Sequence, residues 1–402
     1  MRKAEAEWVS FGEVVEFSQY GLNEKAASIG TLPMLRMGNI QDGKLDLSDL
    51  VYIQADTTDY SEYIIQPGDI LFNRTNSKDL VGKSAIVNDK TRATFASYIV
   101  RFRLNRSKVD PRFIAAYFNS TAGIAKIRAL ASPGVSQYNI NPTILQDSLD
   151  VPILPLPEQK KIAEILSTWD RAIEQSEIII NLKSRKKNHL LEHLFNEIRN
   201  KKHLKRLEEL AEIIPSNVDK KSYEDETSVR LCNYVDVYKN NKITSNLHFM
   251  AATASAIEIQ KFTVLKDDVI ITKDSETPQD IAIPSFVAEE IDNLVCGYHL
   301  TLIRSNPSKI LGHYLYYYFL TARSKYYFFK MANGATRFGL SVDSIKECEI
   351  PIIEVTYQMK LVEALEVIEN EIELLEKYKT KLRKQKQGLM QKLLTGKVRV
   401  KV

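Results

Sequence analysis

The chain has 402 residues, 44% of them apolar and 26% charged, with a net charge of +4. That composition is ordinary for a globular protein and argues against a disordered chain, the length leaves room for two or three cored domains, and the charge permits a nucleic-acid partner without requiring one. Its three cysteines, Cys232, Cys296 and Cys348, form no C-x-x-C pair, so neither a disulfide framework nor a cysteine zinc site is expected. The start, MRKAEAEWVS, lacks the apolar core of a signal peptide, and no apolar run approaches the roughly 20 residues needed to cross a bilayer. A cytoplasmic location and no membrane partner are expected.

In chain order, the first 150 residues read as a mixed module. Short β-like runs occur at Ile70–Phe72, Ser84–Val87 and Tyr98–Leu104, followed by helical periodicity over Pro111–Leu130. The run Ile99–Leu104 alternates, which puts Arg101 and Arg103 on one face and Val100, Phe102 and Leu104 on the packed one. Pro152, Pro155 and Pro157 then make an extended connector, Pro157 suiting a first helical turn. A long helix follows, with a seam at Ile162, Leu166, Trp169, Ile173, Ile180, Leu190 and Leu194.

The second half repeats the first. Gln159 falls on Gln358, Ile162 on Leu361, Leu166 on Leu365 and Leu194 on Leu393, always 199 positions later. The globular parts follow suit: Phe11–Phe17 with Leu207–Ile213, Gly68-Asp-Ile-Leu71 with Asp267-Asp-Val-Ile270, Ser97-Tyr98 with Gly297-Tyr298, and Phe113–Phe118 with Tyr314–Phe319. The second seam is Leu361, Leu365, Ile368, Ile372, Leu375, Leu382, Leu389 and Leu393, and Gly396 reads as the helix stop. The expected fold is α/β (α+β): two tandem pseudo-symmetric globular domains, each followed by a long helix. The boundaries are 1–152, 153–200, 201–351 and 352–402. Each helix runs from acidic to basic: Glu363–Glu376 is crowded with glutamates, whereas Lys377 to Val402 holds ten basic residues and no acidic one. Antiparallel packing sets acidic halves against basic ones, so an antiparallel coiled coil is expected. About 38 residues at 1.5 Å each make it a spacer on the order of 55 Å long.

Several strings that suggest chemistry have plainer readings. Val81-Gly-Lys-Ser84 has Ser77 where a phosphate loop needs glycine, and His189-Leu-Leu-Glu-His193 lies on the lysine-rich end of a solvated helix. Asn141-Pro142-Thr143 and Asn306-Pro307-Ser308 both lack the second proline of an adenine-methylating motif. The aromatic run Tyr314–Phe319 reads as core helix, its counterpart Phe113–Phe118 being merely apolar, with some tyrosine hydroxyls reaching the surface. Asp150, Glu158 and Lys160 could form a nuclease-like metal and phosphate group. The second copy does not keep that pair, however, and Glu158 suits the positive end of a helix dipole.

What remains are polar loops at matching places. Asn73–Lys78 corresponds to Thr272–Thr277, and Gly134–Asn139 to Gly334–Gly339. Arginine, lysine, asparagine and glutamine are the side chains that bond base edges or anchor phosphates. The candidate DNA-binding residues are therefore Arg36, Asn39, Asn73, Arg74, Asn76, Lys78, Lys83, Arg101, Gln137, Tyr138 and Asn139 in the first half. In the second they are Lys273, Ser275, Gln279, Arg304, Thr336 and Arg337.

Gly68-Asp-Ile-Leu-Phe72, Val151–Lys160 with Ile162–Leu166, and the closing Leu389–Gly396, all within a whole-chain duplication, make the chain resemble the specificity subunit of type I restriction-modification systems. The second junction, Pro351–Gln358, departs by losing two prolines and the glutamate. The resemblance implies two target-recognition domains reading a bipartite site on double-stranded DNA. It also implies two modification (methyltransferase) subunits holding S-adenosylmethionine, restriction/translocase subunits using Mg/ATP, and no catalysis, cofactor or metal in this chain. A nuclease built on Asp150, Glu158 and Lys160, or a coiled-coil adaptor that never touches DNA, are the alternatives.

Overall fold

A computed structural model describes residues 6–55, 59–88, 91–135, 137–200 and 203–402. Two compact units emerge: Met1–Glu177 with Glu376–Val402, and Ile178–Leu375. The first long helix spans Leu156–Asn200 and the second Val355–Leu393. Each unit therefore takes part of both helices.

The first unit is built on a four-stranded antiparallel sheet in the order Val15–Tyr20, Ile99–Leu104, Ile70–Asn73, Ser84–Ile86. Its core is aromatic. Phe11 meets Phe102 and Phe118 edge-on at centroid distances of 5.1 and 4.9 Å, and Phe72 joins the same pair. Ile162 and Leu166 of one long helix, Met390 and Leu393 of the other, and Leu394 just after it close this cluster. The second unit repeats the sheet, with Ala211–Pro215, Leu300–Ser305, Val269–Thr272 and Pro284–Val287, and adds Lys242–Ile243 in parallel at the edge. The tyrosines expected in its core are there. Tyr314, Tyr316, Tyr317 and Tyr318 are buried, and the hydroxyls of Tyr314, Tyr317 and Tyr318 donate to Pro351 O, Glu369 and Glu349 O rather than to solvent. Tyr326, farther along, is exposed.

The strand Ile99–Leu104 departs from its expected charged face. Asp69 is fully buried, and Arg103 grips it with two hydrogen bonds of 2.9 and 3.1 Å while Asp69 also accepts from the Gln66 N–H. Arg101, 2% exposed, donates to the carbonyls of Ile64 and Glu62. Burial holds the Arg101 guanidinium below its ordinary value, with the Asp69 carboxylate opposing. The second unit repeats the grip, Arg304 donating to Asp268 at 3.0 and 2.8 Å. A buried carboxylate needs a cation and hydrogen bonds, and the strand's basic face supplies them.

Both helix starts are locked in one way. The fully buried Gln159 accepts the Asp110 N–H at 2.9 Å and donates to Lys108 O and Leu154 O at 3.3 and 2.8 Å. Gln358 accepts the Leu311 N–H at 2.9 Å and donates to Lys309 O and Ile353 O at 3.1 and 2.8 Å. Short strands flank these junctions: Glu7–Ser10 pairs with Asp150–Ile153, and Leu204–Arg206 with Glu349–Pro351.

The helices run antiparallel within each unit, as the charge gradient predicts. In the first, Lys386 meets Asp170 and Arg383 meets Glu177, both at 2.6 Å. In the second, Lys183 meets Glu371 at 2.6 Å and Lys187 meets Glu369 at 3.0 Å. Every seam residue is buried or half-buried. Solvent-accessible ion pairs contribute about 0.2–1 kcal/mol each, so these pairs, of which Lys187–Glu369 is the most buried, select orientation more than they stabilise.

Replacing Gln159 or Gln358 by leucine should lower stability by about 2–4 kcal/mol, because a buried N–H and two carbonyls lose their partner. Chemical denaturation of each variant measures this, and an unchanged midpoint would show that the lock is dispensable. A second expectation concerns acid. His313 stacks between Phe286 and Tyr317 at 4.1 and 4.7 Å, and burial lowers its pKa to about 4. The unfolded chain takes up the proton near pH 6.5 whereas the folded chain resists it, so this contribution is full above about pH 7. It falls as pH drops from about 6.5 to about 4, by about 3 kcal/mol in all. Stability-versus-pH curves for the wild type and His313→Phe should diverge in that window and run parallel above it.

Candidate nucleic-acid interface

In the first unit the strand Ile70–Asn73 ends at Arg74, whose N–H donates to Tyr98 O at 3.1 Å and whose carbonyl accepts the Ile140 N–H at 2.8 Å. Those bonds fold Thr75–Asn76 onto Tyr138–Asn139, which in turn pairs with Ser132–Pro133. Tyr138 lies opposite Asn76, and the Thr75 hydroxyl donates to Asn139 at 2.6 Å. Arg74, Asn76, Gln137, Tyr138 and Asn139 are thus brought together, with Lys78 exposed two residues on. Ser136, inside the predicted loop, lies outside the described residues. The Arg74 guanidinium sits 5.3 Å from the centre of the Tyr20 ring and its Nε–H donates to Ser97 O at 3.4 Å, contacts that leave its Nη groups for a ligand.

The second unit uses the same frame. The Lys273 N–H donates to His299 O at 2.8 Å, its carbonyl accepts the Leu340 N–H at 3.0 Å, and Asp274–Ser275 pairs with Phe338–Gly339. The Lys273 ammonium lies 5.5 Å from the centre of the Tyr298 ring. Thr336 and Arg337 are exposed beside it, as is Gln279 in the turn Pro278–Asp280. Ser275 is buried, its hydroxyl accepting the Thr277 N–H.

Other expected residues serve the fold. Asn39, 4% exposed, accepts the Arg36 N–H and donates to Asp46 O and Asp49 O, closing its own loop, while Arg36 pairs at the surface with Asp49. Asn73 is fully buried and donates to Met37 O. Arg101 and Arg304 serve the buried aspartates, so Asn39, Asn73, Arg101 and Arg304 leave the candidate interface. The two arginines satisfy buried polar groups and the two asparagines are themselves buried within the fold, demands that a pattern of surface-type residues does not reveal. Lys83 stays half-buried and donates to Gln41 at 2.9 Å. Gly82 before it has φ 82°, and a side chain there would strike Ile127, which explains the Gly-Lys-Ser string by a turn.

The residues missed by sequence reasoning are aromatic: Tyr20, Tyr98, Tyr298 and His299. The tyrosines are about half exposed and ring the loops chosen for their polar donors. The repeat also needs a one-residue shift here. Leu22 O accepts the Ser97 N–H and Val218 O accepts the Tyr298 N–H, so Ser97 matches Tyr298 and Tyr98 matches His299.

The nuclease alternative fails at Glu158. That carboxylate is buried and receives the Arg399 guanidinium, at 2.6–3.1 Å, and the Val400 N–H at 2.8 Å. Among the described residues no group of three His, Cys, Asp or Glu is arranged to hold a metal ion. His189 and His193 lie exposed on the helix, and burial pushes the Cys232, Cys296 and Cys348 thiols up, away from the reactive thiolate. No helix among the described residues is long and apolar enough to cross a membrane.

Two copies of one domain, each locked by glutamine to an antiparallel helix pair and each presenting a cation and aromatics on an identical frame, define a tandem recognition protein. Residues 5–184 and again 200–384 match the family model for the type I restriction modification DNA specificity domain, and the chain belongs to that family. It is 26% identical to a putative type I restriction enzyme MjaX specificity subunit from Methanocaldococcus jannaschii, over 97% of this chain and 92% of that protein. It is 35% identical to the EcoKI specificity subunit from Escherichia coli K12 over 137 residues, 34% of this chain and 29% of that protein. The crystal structure of the type I restriction-modification S subunit from M. genitalium shares the fold, with a TM-score of 0.58 and 16% identity over 98% of both chains. A chain from a structural study of type I complex assembly gives a TM-score of 0.57 at 15% identity, over 98% of this chain and 99% of that one.

Proposed function

We propose that this chain is the specificity subunit of a type I restriction-modification complex: it reads a bipartite site on double-stranded DNA and carries out no catalysis itself. Residues 1–152 and 201–351 are the two recognition domains, and 153–200 and 352–402 the spacer helices with the tail. Two methyltransferase subunits supply S-adenosylmethionine chemistry, and restriction subunits supply Mg/ATP-driven work, in the cytoplasm where the DNA lies. Family membership supports this division of labour. The single observation that carries the DNA reading is the pair of matched frames around Arg74 and Lys273, alike in backbone hydrogen bonds and different in side chains. Two modules that must read different half-sites need a constant scaffold and a variable surface.

Mapping methylated adenines with and without the gene tests the proposal. A two-part motif should vanish with the gene, and exchanging residues 1–152 should change only one part of it. Arg74→Ala and Gln137→Ala should relax base choice in one half-site, by about 1–3 kcal/mol for a lost paired contact, and Lys273→Ala and Arg337→Ala in the other. A residue that anchors phosphate would instead weaken all sequences alike and lower the salt dependence by about one ion.

A further inference from the structure

We infer that His299 is a base-reading residue of the second unit, using its Nε2 edge to accept a hydrogen bond from the exocyclic amine of an adenine or cytosine. The inference rests on the DNA-reading proposal and adds a residue, an atom and a class of base edge to it.

Three observations converge on this side chain. Its backbone has φ 72°, a left-handed conformation that a residue with a Cβ adopts at a cost and that glycine would adopt freely. Strain of this sort persists where the surroundings enforce it, and it concentrates at binding sites. The enforcement is visible: the His299 carbonyl accepts the Lys273 N–H at 2.8 Å, and the ring packs 3.9 Å from the Tyr298 ring. Asp274 then fixes the imidazole, its Oδ2 lying 2.7 Å from Nδ1. An ionised carboxylate accepts only, so in the neutral ring the proton sits on Nδ1 and Nε2 keeps its lone pair. The side chain is 30% exposed and stands beside Lys273, on the frame that carries Tyr98 in the first unit. Adenine N6 and cytosine N4 are the amine donors in the major groove, whereas guanine O6 and thymine O4 are acceptors that a bare Nε2 cannot satisfy.

The test uses the full chain assembled with its modification subunits and a randomised duplex DNA library, with thermal melting run in parallel. Wild type should select a two-part motif in which one position of the half-site disturbed by Lys273→Ala prefers an amine-bearing base by about five- to tenfold. His299→Gly, which suits the left-handed backbone, should keep or raise the melting temperature and bring that preference within about twofold, leaving the other half-site unchanged. Asp274→Asn can donate to Nδ1 and move the proton to Nε2, so it should shift the same position toward guanine or thymine. Retention of the preference in His299→Gly, or an equal loss at every position, would overturn the inference while the wild-type motif stands. A wild-type complex that selects no motif would overturn the DNA-reading proposal and this inference together.

Discussion

The structure depends on one buried carboxamide used twice. Gln159 and Gln358 each sit at the start of a long helix and bond both to the connector they have just left and to the loop preceding a domain helix. An amide can accept on one end and donate twice on the other, so a single residue satisfies three backbone groups that the junction would otherwise bury unpaired. Neither leucine, which bonds nothing, nor glutamate, which cannot donate when ionised, does this. The direction in which each helix leaves its domain is therefore fixed by hydrogen bonding, and the apolar seam decides what the helix then meets.

A second constraint sits inside each sheet. Asp69 and Asp268 are buried at the turn before a core strand, and Arg103 and Arg304 neutralise them from the neighbouring strand. A buried pair adds little net stability compared with apolar residues, but breaking it is costly, so it specifies one pairing of strands more than it strengthens it. The strand register next to Arg74 and Lys273 follows from that pairing. Variable loops can then differ between the units without moving the frame, because the polar residues that hold the frame face inward.

The duplication, the helical seams and the antiparallel sense were legible because each is a periodic signal written many times over. Ile162, Leu166, Leu361 and Leu365 report it redundantly, and the graded charges report it again. The interface was only partly legible, for a physical reason visible in particular residues. Arg101 and Arg103 look like a solvated basic face because alternation cannot show that Asp69, some thirty residues away, is buried opposite them. Asn73 and Asn39 look like loop donors for the same cause. Conversely the equivalence of Tyr98 and His299 is hidden in the sequence by a one-residue shift between the halves, which only the backbone hydrogen bonds align.

The copies differ most where a connection is made by contact in one and by the chain itself in the other. The first long helix ends at Asn200, and the strand Leu204–Arg206 of the second unit follows it in sequence. In the first unit the corresponding strand, Glu7–Ser10, is met instead by the residues that follow the second long helix, through contacts. Gly396, at φ 72°, turns the chain so tightly against Ala6 that a side chain there would lie 2.8 Å from the Ala6 nitrogen. Beyond it, Arg399 and the Val400 N–H close on the buried Glu158. The guanidinium fits the carboxylate with parallel bonds, and the glutamate in turn raises the arginine's affinity for its proton. Tyr357 stands where Glu158 would be in the second copy, which has no such clasp to make. The Leu-Leu-Thr-Gly signature and the glutamate of the first junction are thus two sides of one contact: leucines 393 and 394 fill the core that the clasp then seals.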